Sequence, residues 1–334
     1  MPPSLRDSGF NQQSEESTAA TGDDRTGNYG RRREQEASVS STTSTPVSVV
    51  TGANSGIGRA TAIHLATEGH RVFGTVRSLD KAAKLNAMAE AAGADIELVV
   101  LDVADDDSVE RGWAEIVDRA GRVDTLVNNA GVGGNAVTEE CPVSLYAEVM
   151  NVNFYGAVRL IQRVLPQMRE RRGGTIVNIS SVVGRVAAIA QQPYVTSKWA
   201  LEAMSEGLAQ EVAPFGIRVA IVEPGITKSA IFAKNIDAPN QTGAYDAHYR
   251  RLFQFYARGI AEATDPMEVA RTVHHAITTS NPVLRYAVSW GGPEMVARRR
   301  AMTDEEWVAM GAHADDADYY GDFERLLGVD ISPQ

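Results

Sequence analysis

The chain is 334 residues long, carries a formal net charge of −11 and is 43% hydrophobic. That is enough apolar material for one large α/β core or two small ones. The acidic balance argues against general nucleic-acid binding, which rests on neutralising phosphates, and no apolar run reaches membrane-spanning length. The single cysteine, Cys141, excludes an intrachain disulfide, so a reducing, cytoplasmic setting is the expectation.

Residues 1–45 are polar and charged, lack the apolar core of a secretory signal, and contain too little apolar surface to offset the entropy of ordering. A disordered tail is expected there, with Arg31–Arg33 solvated rather than a docking patch. From Pro46 onward, short apolar runs alternate with helical stretches. The runs are Val47–Val50, Val72–Val76, Ile96–Leu101, Thr125–Val127, Thr175–Ile179 and Ile217–Val222. Between them lie helical patterns near Ile57–Glu68, Leu79–Ala92, Asp105–Ala120, Pro142–Arg171 and Tyr194–Val212. Nearly continuous apolar strands separated by amphipathic helices imply a parallel sheet covered on both faces, a doubly wound α/β domain of Rossmann type. Residues 226–262 read as irregular and aromatic, with Phe232, Tyr245, Tyr249, Phe253, Phe255 and Tyr256, and would form a lid over the site. A helix over Asp265–Thr279, with Pro266 in its first turn, and a strand near Leu284–Val288 complete a catalytic domain at 46–288. Residues 289–334 read as a helical extension ending in acidic loops. The six histidines show no zinc-site spacing. The adjacent His274 and His275 read as ordinary helix residues, and no metal is expected.

The first strand runs into Gly52-Ala53-Asn54-Ser55-Gly56-Ile57-Gly58 and then a helix. Glycines there allow a tight turn and a close approach of backbone to a pyrophosphate, and the helix N-terminus offers unpaired N–H groups. The spacing is neither GxGxxG nor a P-loop, and no lysine follows Gly58. Thr51–Gly58 resembles the glycine motif of the short-chain dehydrogenase/reductase family, over about residues 46–288.

The resemblance implies a Tyr-x-x-x-Lys pair, which Tyr194 and Lys198 supply. Their spacing puts both side chains on one helix face, and a neighbouring ammonium would lower the phenol's pKa. It implies a serine that hydrogen-bonds the substrate oxygen. Ser181, thirteen residues before Tyr194, fits this spacing, with Ser180 as close competitor. It assigns Asn129, Ala130 and Gly131, behind Asn128, to the cofactor groove. Asn153, mid-helix, would hold a helix distortion and a relay water, with Asn151 on another face. Asp102 and Val103 resemble the adenine-contacting pair, although Asp102 fits a local cap before Ala104 equally well. Pro224, Gly225 and Ile226 resemble the nicotinamide-side motif, with Ser229 where a threonine is usual.

An acid at the end of the second strand would bond the adenosine ribose. Val76 stands there and Arg77 follows, and a guanidinium pairs well with a phosphate. NADP(H) is therefore expected over NAD. The resemblance implies hydride transfer between NADP(H) and a small-molecule alcohol or carbonyl substrate, and a homo-oligomer. Val72–Arg77 and Asn281–Tyr286 resemble members acting on hydroxysteroids and retinoids, so an apolar substrate is expected. An NADP-binding sensor without turnover and an epimerase or dehydratase are the alternatives. Against them stand the intact Ser181, Tyr194 and Lys198 and the absence of a clear second substrate domain.

Overall fold

The computed structural model describes residues 44–229 and 239–334. Most of the tail expected over 1–45, and residues 230–238 of the expected lid with Phe232, lie outside the described residues.

The chain begins with strand β1 (Val47–Val50), helix α1 (Gly56–Thr67), β2 (Arg71–Val76), α2 (Ala83–Ala91), β3 (Ile96–Val100), α3 (Asp106–Ala120) and β4 (Thr125–Asn128). It continues through α4 (Val143–Met150), α5 (Gly156–Arg171), β5 (Gly174–Ile179), α6 (Gln192–Val212) and β6 (Ile217–Pro224). Then follow α7 (Asp246–Ala261), α8 (Pro266–Thr278), β7 (Arg285–Val288), α9 (Gly292–Ala301), α10 (Asp304–Gly311) and α11 (Asp316–Leu327). The strands form one seven-stranded sheet in the order β3-β2-β1-β4-β5-β6-β7, and every neighbouring pair is parallel. Central strands are buried along their whole length, as in the Val-Ser-Val-Val of β1, because helices cover both faces. Trp113, Ile116, Leu160 and Leu201 pack on one face, and Ile63, Leu65, Leu85 and Val273 on the other. Chain order reverses between β1 and β4, and in such sheets ligands bind beyond the strand C-termini at that point.

Three segments differ from the sequence reading. The helix expected over Pro142–Arg171 is interrupted by a π-helical turn at Asn151–Tyr155. The irregular segment contains a full helix, α7, which buries Tyr249, Leu252, Phe255, Tyr256 and Gly259 at a helical period. The acidic C-terminus is helical too: Asp315 caps α11 by accepting from Ala317 N at 2.7 Å. Together α7 and α9–α11 build a further apolar cluster around Phe255, Met295, Tyr319 and Phe323. Among the described residues no helix is long and apolar enough to cross a membrane.

Candidate active site

The turn after β1 is shaped by hydrogen bonds from the neighbouring strand. The Thr51 hydroxyl accepts from the backbone N–H groups of Asn129 and Ala130, both at 2.9 Å, and Asn129 Nδ2 donates to Thr51 O at 2.8 Å. Gly52 and Gly56 adopt φ of +66° and +51°, which favour glycine. At Gly58 the reason is space: a Cβ would lie 2.3 Å from Asn129 Nδ2 and 2.4 Å from Gly52 O. Helix α1 therefore starts directly behind the turn, and its N-cap Ser55 makes no side-chain cap bond, leaving first-turn N–H groups for an anion.

This turn forms one wall of a cleft of about 640 Å³. Gly52, Asn54, Ser55, Gly56 and Ile57 line it, as do Arg77, Asp102, Val103, Asn129, Ala130 and Gly131. Ser181, Tyr194, Lys198, Pro224, Gly225, Ile226 and Ser229 line it as well. Residues picked from separate stretches of sequence thus meet on one surface. Gly58 and Asn153 do not line it but stand behind it. Asp102 serves both its readings: it faces the cleft, while its carboxylate accepts from Ala104 N at 3.0 Å. The exposed Arg77 has no hydrogen bond or ion pair among the described residues. At the far wall, a Cβ on Gly225 would meet Trp290 O at 2.0 Å, so the segment after β7 crosses at backbone distance. Ser229 packs against the turn, its Cβ 3.2 Å from where a Gly56 Cβ would lie.

Tyr194 and Lys198 project from the first turns of α6. The Lys198 ammonium lies 5.7 Å from the centre of the Tyr194 ring and donates to Ile179 O at 2.8 Å. Burial lowers Lys198 to about 8, opposed by the carboxylate of Glu202 one turn on. Burial pushes Tyr194 up to about 12, opposed by its hydrogen bond with Ser181. Desolvation outweighs the Ser181 bond, so the direction is opposite to the lowering expected from Lys198. Of the two serines, Ser181 acts on Tyr194. Ser180 Oγ is turned toward Gly184, 2.7 Å from its would-be Cβ. Asn153, in the π-helical turn, accepts from Val132 N at 2.8 Å and donates to Val132 O and Ser197 Oγ, both at 2.9 Å. It ties the loop after Gly131 to the residue preceding Lys198. Asn151 does not join these bonds: it lines the cleft and donates to Ala104 O at 3.0 Å. Below Lys198, the buried Glu202 and Glu223 share Arg285, at 2.9 and 3.5 Å. Burial and the neighbouring Glu202 raise Glu223 to about 7.

Sequence reasoning missed the polar floor beside Tyr194. Tyr256 donates to Asn135 Oδ1 at 2.9 Å and accepts from Gln191 Nε2, and burial raises its phenol. Tyr256, Phe255, Gln191, Val182 and Val183 line the cleft's substrate end. The helical period of α7 was the signal that could have placed Tyr256 inward.

The short chain dehydrogenase family model matches residues 46–240. The chain is 33% identical over 252 residues to an uncharacterised oxidoreductase, YusZ, of Bacillus subtilis, covering 73% of this chain and 89% of that one. It is 35% identical over 253 residues to mouse 17-beta-hydroxysteroid dehydrogenase type 1, covering 72% of each. A solved short-chain dehydrogenase from Streptomyces avermitilis superposes with a TM-score of 0.70 at 35% identity, covering 81% of this chain and all of that one. The chain belongs to the short-chain dehydrogenase family. It is an oxidoreductase acting on CH–OH or carbonyl groups of small molecules with a nicotinamide cofactor.

Proposed function

We propose that the protein reduces an apolar ketone or aldehyde with NADPH, with Tyr194 as the proton donor. The observation that carries the reading is geometric: Tyr194, bonded to Ser181 and with the Lys198 ammonium 5.7 Å from its ring centre, shares one cleft with the glycine turn. The cradle fits a dinucleotide: first-turn N–H groups of α1 would hold the pyrophosphate, Asp102 and Val103 the adenine, and Lys198 the nicotinamide ribose. Bound there, the nicotinamide supplies the hydride. Ser181 orients the carbonyl oxygen, and the Tyr194 hydroxyl gives it a proton. Asn153 fixes the position of Lys198 through Ser197, which supports a role in returning that proton. The exposed guanidinium of Arg77 at the end of β2 supports NADP(H), because it is free to pair with a 2′-phosphate.

The apolar wall of Val182, Val183 and Phe255 supports a hydrophobic substrate with one polar anchor at Tyr256. The hydroxysteroid activity named for the mouse relative supports a steroid- or retinoid-like ring system. A cytoplasmic homo-oligomer with a tail at 1–45, a lid at 226–262 and an extension at 289–334 completes the reading. The test is NADPH consumption across a carbonyl panel at several pH values. Turnover should favour ring ketones over small polar sugars. It should fall as pH rises through about 8, where Lys198 loses its charge. Activity confined to polar sugars contradicts the substrate reading.

A further inference from the structure

Away from the cleft, α1 and α8 lie against each other and bring together residues far apart in sequence. His64 and Glu68 sit one turn apart on α1, with Nδ1 of His64 3.8 Å from Glu68 Oε1. His274, on α8, meets His64 edge to face, with ring centroids 5.4 Å apart. One donor atom from each of the three lies within 4.8 Å of the others, and among the described residues no other group of His, Cys, Asp and Glu does so. None of the three lines the cleft. We propose that His64, Glu68 and His274 bind a divalent transition metal of the zinc class, clamping α1 to α8.

The donor chemistry points to this class. Two imidazoles and one carboxylate match the nitrogen and oxygen ligands of three-residue zinc sites, in which water completes the tetrahedron. Hard cations such as magnesium prefer oxygen alone. Metal binding needs neutral imidazole, and burial lowers the pKa of His64, with His274 and Arg271 acting in the same direction and Glu68 opposing them. A third imidazole, His70, stands 5.9 Å from His274, is lowered by burial, and is fixed by a 2.7 Å bond between its Nδ1 and Ser48 Oγ. Arg271, the cation facing the site, is drawn to Glu268 at 2.5 Å. Bonds of about 2.1 Å place tetrahedral ligands about 3.4 Å apart, so the donors must close by roughly an ångström. The Glu68 side chain is 44% exposed and can swing inward. Ligands from two helices give the ion a local role, holding α1 against α8 away from the cleft.

The test uses the untagged full-length chain, freed of metal with chelator, and titrates it with zinc chloride alone by calorimetry. Cobalt(II) absorption serves as a second readout of ligand geometry. The expected result is one zinc per chain, a higher melting temperature with zinc, and no comparable effect of magnesium. His274→Ala and Glu68→Gln should each weaken zinc at least about tenfold and change the cobalt spectrum, while carbonyl turnover stays unchanged and shows that the variants fold. Absence of saturable zinc binding overturns the site. So does equal affinity in a His64→Ala/His274→Ala variant, which would move the ion elsewhere, for example to His313 and Asp322. Magnesium binding as tight as zinc overturns the metal class.

Discussion

The two ends of the cleft are built from different materials. The cofactor end is made of backbone: glycines at positive φ, a helix start, and contacts such as those behind Gly58 and Gly225 that leave no room for a methyl group. The substrate end is made of side chains carried by separate elements, with Tyr256 from α7 meeting Gln191 at the start of α6 and Asn135 in the loop after β4. Backbone sterics fix the first end to one ligand shape. The second depends on individual side chains that also belong to the apolar cluster of α7 and α9–α11, so only a conservative change there, such as loss of one hydroxyl, isolates its effect on the site. Tyr194, partly buried, and Lys198, buried, stand between the two on α6, and desolvation is the leading influence on each.

The largest effect should come from the residue at the junction. Tyr194→Phe removes the proton donor and should lower kcat by about 10²–10⁴-fold, with NADPH affinity unchanged in a fluorescence titration. Next is the backbone end. Gly58→Ala forces a methyl onto Asn129 and Gly52, a strain of about 1–3 kcal/mol. Cofactor affinity should drop about ten- to a hundredfold, and the melting temperature should fall with it. The smallest effect belongs to the side-chain end. Tyr256→Phe removes one hydroxyl, worth about 0.5–1.5 kcal/mol. It should raise KM for the carbonyl about three- to tenfold, with cofactor affinity intact. If Tyr256→Phe weakened NADPH as much as Gly58→Ala does, the division between the two ends would be wrong.

The same division governs what could be read from the sequence. The cofactor end lies in short contiguous motifs, because a turn and the helix after it are local. Gly52–Gly58, Asn129–Gly131 and Pro224–Ile226 were therefore legible, and so was the strand–helix alternation that makes the sheet. Tyr194 and Lys198 are also local, one turn apart. The floor of the substrate end was not legible, because Tyr256 meets its partners across 121 and 65 residues. The pairing of His64 with His274 escaped for the same reason, since it depends on α1 and α8 packing together and not on any spacing in the chain. The direction of the Tyr194 shift was misjudged because charge proximity can be read from an i, i+4 spacing, whereas burial cannot. The π-helical turn at Asn151–Tyr155 gave only a hint, two asparagines in mid-helix. Its cause, the clamp of Asn153 on Val132, is tertiary.

The most direct test is a fluorescence titration of the purified protein with NADPH and with NADH, repeated on Arg77→Ala. Saturable binding with NADPH tighter, and a preference that shrinks in Arg77→Ala, is the predicted result. Tighter NADH binding would contradict the role given to Arg77, and binding of neither would contradict the claim that the cleft is an assembled nicotinamide site.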